Sequence, residues 1–107
     1  MARILVGDLG SIEAVDDGFC ALVGYAREEL LGSHGADLIP VGERPVVAAA
    51  MDQARMGDLR PRSTHLKRRD GSLVEVDVDA RPLVNGWLEM SVRPRSELEP
   101  PAPESRT

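Results

Sequence analysis

A chain of 107 residues has room for one hydrophobic core and therefore one domain, and 42% hydrophobic with 29% charged residues is the composition of a soluble globular protein. The net charge of -5 argues against nucleic acid or an anionic membrane surface as a direct partner, no apolar run approaches the roughly 20 residues of a membrane span, and nothing at the start reads as a signal peptide. A single Cys cannot form an internal disulfide, so a reducing cytoplasm is the expected compartment.

The first elements are short. "RILV" and "SIEAV" are β-rich runs split by the turn "GDLG", which predicts a hairpin with strands over Arg3 to Val6 and Ser11 to Val15. Asp16 or Asp17 is placed to cap a helix carrying Phe19, Leu22 and Val23 at helical spacing, and Gly24 ends it. A single helical turn follows from about Arg27 to Leu31, with Glu28 and Glu29 at its positive end and Gly32 closing it.

One helix of ordinary length is predicted next. Pro45 suits its first turn and Gly57 its end, with Val46 or Val47, Ala50, Met51 and Ala54 as the apolar stripe. Two strands, Arg62 to Arg69 and Leu73 to Pro82, flank the turn "RRDGS". In the second, Val74, Val76, Val78 and Ala80 alternate with Glu75, Asp77, Asp79 and Arg81, the pattern of one buried and one wet face. Asn85-Gly86 makes a further turn before the last strand, "WLEMSVR". Residues 96–107 form a proline-rich polar tail with too little apolar material for a core, expected as an extended linker open to protease beyond about Arg95. The order is α+β, an antiparallel sheet with short helices and one longer helix packed on one face.

Three motifs in this order carry a family resemblance. "GYAREELLG" looks like the Gly-Tyr, acidic pair, Leu, Gly signature of PAS domains, "KRRDGS" like their basic run into an Asp-Gly turn, and "VDDGF" like the start of their first helix, with Asp16 where asparagine is usual. The chain resembles a PAS domain over Arg3 to about Arg95, which sets the domain at 1–95, and the implied sheet has five strands. It departs at Ala26, where a Ser or Thr cap is common, and at "VRPRSE", which lacks the Asp-Ile-Thr type motif at the end of the last strand. The resemblance implies a sensory and dimerising module that holds a small molecule between its helices and the inner face of its sheet.

The residues discriminate among the cofactors the resemblance allows. Light-sensing members place a reactive cysteine shortly after the glycine closing the second helix, where Gly35 stands here, and use strand amides near the positions of Leu66 and Val76. Cys20 reads as a small buried hydrophobe. Haem-binding members carry an axial histidine on the long helix, and none is present there; His34 and His65 read as surface histidines. No cofactor and no metal site is therefore expected, and the purified domain should be colourless. Glu75, Asp77 and Asp79 read as cross-strand charge pairs with the strand of Arg62, His65, Lys67 and Arg69. No nucleophile-base pair or phosphate-binding glycine loop is present, so no enzyme activity is expected.

The expected lining of a binding cavity is Phe19, Leu22, Tyr25, Leu30, Leu38, Ile39, Val47, Met51, Leu66, Val76 and Val78, joined by Leu88 and Met90 if the last strand alternates so that they face inward. In the other register Trp87, Glu89 and Ser91 take that face. Such a lining suits a small apolar or weakly polar ligand. The same residues could instead fill the core, which leaves two readings: a non-catalytic sensory and ligand-binding module of a bacterial signalling or transcription regulator, whose tail leads to a DNA-binding or kinase output domain, or a ligand-free assembly domain. In either, a homodimer is expected through the outer sheet face or the N-terminal strand. That interface should be modest and partly polar, with Leu5 and Trp87 as the large apolar residues left outside the core.

Overall fold

A computed structural model describes residues 2–95. The tail expected over 96–107 lies outside the described residues. The chain folds as β1 (Ala2–Val6), β2 (Ile12–Val15), α1 (Asp17–Val23), α2 (Arg27–Leu30), 3-10 turns at Gly35–Leu38 and Val41–Glu43, α3 (Arg44–Arg55), β3 (Arg62–Lys67), β4 (Leu73–Pro82) and β5 (Leu88–Pro94). The strands form one five-stranded antiparallel sheet in the order β2-β1-β5-β4-β3. This is the α+β arrangement expected from the sequence.

Local chemistry explains the first helices. Asp16 has extended backbone and its Oδ1 accepts from the Phe19 N–H at 2.8 Å, the N-cap bond, and from the Arg3 N–H at 3.1 Å. One carboxylate thus starts α1 and ties it to β1. Desolvation disfavours its ionised form, but those two N–H donors outweigh that cost and hold its pKa below the ordinary value. Gly24 ends α1 in the left-handed region at φ 80°, its N–H donating to the Cys20 carbonyl at 2.8 Å. At α2 the Ala26 methyl cannot cap, and half of a capping box remains: the Ala26 N–H donates to Glu29 Oε1 at 2.9 Å.

The strand predicted to reach Arg69 stops at Lys67 because Arg68 enters the turn, its N–H donating to the Ser72 carbonyl at 2.8 Å, while the Arg69 N–H donates to Val23 at 2.9 Å and joins the turn to the end of α1. The facing of β5 is settled by register. Ala2, Ile4 and Val6 lie opposite Val92, Met90 and Leu88, so those three face inward, while Glu89, Ser91 and Arg93 face outward.

The outer face carries a ladder of charge pairs, with partners different from those expected. Asp77 pairs with Arg95 at 3.2 Å and Asp79 with Arg93 at 3.5 Å, and Glu89 pairs with Arg81. None of these cations comes from β3: Arg93 is on β5, the inner neighbour of β4, Arg95 follows the end of β5, and Arg81 is on β4 itself; β3 supplies the Ser63 hydroxyl to Asp77 at 2.7 Å. That hydroxyl, with Arg95 and Arg93, holds the Asp77 pKa below its usual value.

Both sheet edges are hydrogen-bonded to other parts of the chain. Along β2, the Ile12 N–H donates to Ser33 at 2.8 Å and the Gly32 N–H to Ile12 at 3.0 Å. Along β3, the Glu43 carboxylate accepts from the Thr64 hydroxyl at 2.7 Å, from the His65 N–H at 3.0 Å and from His65 Nδ1–H at 2.8 Å. These donors, the Thr64 hydroxyl foremost, hold the Glu43 pKa below its ordinary value.

The large apolar side chains left outside are not Leu5 and Trp87, which are half-buried, but Leu9, Leu31, Val41, Val46, Met56, Leu59, Leu73 and Val84, on turns, loops, strand ends and the first turn of α3. Among the described residues no helix is long and apolar enough to cross a membrane.

Candidate functional site

One corner of the sheet is closed by large side chains. Ile12, Phe19, Val23, Leu30 and Val76 are each essentially buried, with α1 packed on β1 and α2 on β2. Beyond that corner, α3 crosses the rest of the inner face with the stripe Val47, Ala50, Met51 and Ala54, and only Ala54 is buried. Two of these four are alanines, so the helix reaches the sheet without filling the space beneath it. A cavity of about 230 Å³ remains.

Its floor is Ile4 and Val6 from β1, Met90 and Val92 from β5, Val78 and Ala80 from β4, and Leu66 from β3. Phe19, Leu38 and Ile39 form the inner wall and the α3 stripe the roof. Val47, Met51, Val78 and Met90 are partly buried because they face empty space instead of packed atoms.

Of the residues expected to line a cavity, the structure brings together Phe19, Leu38, Ile39, Val47, Met51, Leu66, Val78 and Met90. It does not bring Leu22, Tyr25, Leu30, Val76 or Leu88 to it. Leu22 lines a separate shallow groove with Arg68 and Arg69. Tyr25 lies under Arg69, whose guanidinium is 5.9 Å from the ring centre. Leu30 and Val76 belong to the closed corner, and Leu88 is fully buried opposite Val6.

Sequence reasoning missed the polar rim. Arg44 at the start of α3, Asp58 and Arg60 beyond its end, and Arg62, Ser63 and Thr64 of β3 border the cavity. Asp58 binds Arg60 through two contacts of 2.9 and 2.7 Å and Arg62 at 3.2 Å, and its carboxyl is held well below the usual carboxylate range, chiefly by Arg60. Arg62 also donates to Gln53 Oε1 at 2.7 Å. The inward placement of Arg62, two residues from Thr64 and four from Leu66 on one strand, was the signal available for it.

The lining does not fit a flavin or haem. Both ring nitrogens of His34 are engaged, Nε2 with the Leu9 carbonyl at 3.0 Å and Nδ1 with the Ala36 N–H at 3.1 Å, so neither is presented to an axial position. Cys20 does not border the cavity, whose volume lies below the range of drug-sized sites. Among the described residues no group of three His, Cys, Asp or Glu side chains is placed to hold a metal ion. The Ser63 hydroxyl donates to the Asp77 carboxylate and the Thr64 hydroxyl to the Glu43 carboxylate.

Solved structures share this architecture. The PAS domain of an HTR-like protein from Haloarcula marismortui is similar with a TM-score of 0.73 at 23% identity, over 87% of this chain and 79% of that one. A domain of a sensory box sensor histidine kinase/response regulator from Geobacter sulfurreducens gives 0.77 at 21%, over 86% and 81%. The PAS-B domain of Drosophila melanogaster Cycle, with bound ethylene glycol, gives 0.74 at 12%, over 88% and 99%. No protein-family model matches the sequence, and no curated protein matches it. The chain has the PAS fold.

Proposed function

We propose that this domain is a non-catalytic sensory module that takes a small, mainly apolar ligand between α3 and the sheet. The observation that carries this reading is the cavity itself: about 230 Å³ of space walled by aliphatic side chains in a chain with little apolar material to spare. Support comes from the similar solved domains, one from a sensor histidine kinase/response regulator and one holding ethylene glycol. Coupling to an output domain through the tail, in a reducing cytoplasm, belongs to the same reading. So does pairing of two copies; the charged ladder on the outer sheet face favours a modest, polar contact there.

Methyl NMR of the methionines tests the ligand reading. Titration with 1-hexanol is expected to shift Met51 and Met90, which border the cavity, and to leave Met56, which is 87% exposed, unmoved. Equal shifts at all three, or none, would overturn it.

A further inference from the structure

The rim of the cavity differs in charge from the rest of the chain. The protein carries a net charge of -5, yet the side chains bordering this cavity include three arginines against one aspartate. Asp58 is shared by Arg60 and Arg62. Arg44 stands differently. It is half-buried, its Nε donates to the Ile39 carbonyl at 3.0 Å, and no carboxylate pairs with it among the described residues.

The Nε bond fixes the guanidinium at the first turn of α3, one turn before the stripe residue Val47, and leaves both terminal nitrogens uncommitted. Two N–H groups in a fixed plane match the two oxygens of a carboxylate, a geometry that a lysine could not offer. The apolar interior cannot accept a charge, so an acid group is held at the mouth while the rest of the molecule enters.

We propose that the cavity selects an amphipathic monoanion, a short aliphatic chain ending in a carboxylate, with the chain under α3 and the carboxylate on Arg44. This rests on the ligand reading above and narrows it. Hexanoate is a suitable probe, because its short alkyl chain can enter the cavity while its carboxylate stays at Arg44.

The test compares three head groups on one chain in the full-length protein, followed at the Met51 and Met90 methyls: hexanoate, 1-hexanol and hexylamine. Hexanoate is expected to bind about three- to tenfold more tightly than 1-hexanol, since one charge-assisted contact at a half-exposed site is worth that much, and hexylamine more weakly than either. Added salt should weaken hexanoate and leave 1-hexanol unchanged. Arg44→Gln should bring hexanoate to within about twofold of 1-hexanol. If that variant fails to fold, the ranking of the three probes on the unaltered chain decides. Binding of 1-hexanol as tightly as hexanoate overturns the acid assignment and leaves the cavity reading intact; silence of both methyls toward all three probes overturns both.

Discussion

The inner face of this sheet is covered twice, by opposite means. At the α1–α2 corner, aromatic and branched side chains interlock, and Phe19 and Leu30 are 1% and 2% exposed. Under α3, the covering stripe is half alanine, and only Ala54 reaches comparable burial. Both helical regions rest on one continuous set of strands, so the difference lies in side-chain volume and not in topology. The closed corner supplies cohesion, and the α3 side gives up contact to keep a void.

Replacing Phe19 by Ala is the most severe way to break this division. It removes the largest fully buried side chain of the corner and should cost about 3–5 kcal/mol in urea unfolding. A loss below about 1 kcal/mol would mean that the corner is as loosely filled as the α3 side.

Asp16→Ala tests the corner through its attachment. Loss of the cap should cost about 1 kcal/mol. The pH dependence carries a sign: the folded pKa lies below the unfolded value near 3.8, so the stabilisation is complete well above that value and is lost as pH falls through the folded pKa. The variant and the parent should therefore converge in stability in acid and differ fully at neutral pH. A gap that stays constant through the acid limb would show that the carboxylate charge is not what the two N–H groups recognise.

Ala50→Leu sharpens the comparison from the other side with the smallest effect on stability. A Leu at this position enters the cavity, so unfolding free energy should stay within about 1 kcal/mol of the parent, whereas overpacking a filled core costs about 1–3 kcal/mol. The response of the Met51 and Met90 methyls to 1-hexanol should disappear in the same variant. Reduced stability with the response preserved would locate binding elsewhere.

Much of this was legible in the residues, and the gaps have physical causes. Turn glycines, the Asp16 cap and the alternation of β4 follow from local rules, and the structure places them as expected. Alternation tells which face a strand residue takes, but not how far the covering helix extends along it. For that reason Val76 and Val78, two residues apart on one face, end in the closed corner and at the cavity respectively. Tyr25 lies past the glycine that ends α1, where helical spacing no longer fixes direction, and Leu22 in the last turn of α1 meets Arg68 of the turn after β3, a neighbour that spacing along the helix does not supply. Arg93 and Arg95 went unrecognised as partners of Asp79 and Asp77 because the acidic face of β4 was matched to β3 alone, whereas β4 also pairs with β5 across the Asn85-Gly86 turn. Arg44 was invisible as a site residue because a cation in the first turn of a helix ordinarily reads as solvated surface.

The position of Glu43 carries a consequence for how copies of this chain meet. An exposed strand edge offers its open N–H and C=O groups as a template on which another chain can lay a strand, and growth of that kind propagates into insoluble polymer. Glu43 occupies one such donor on β3 with its carboxylate and places a negative charge along that edge, while the segment over residues 32–34 lies along β2 at the opposite end of the sheet. A single acidic side chain at the foot of α3 thus takes up one of the β3 edge donors that a second chain would need for strand pairing.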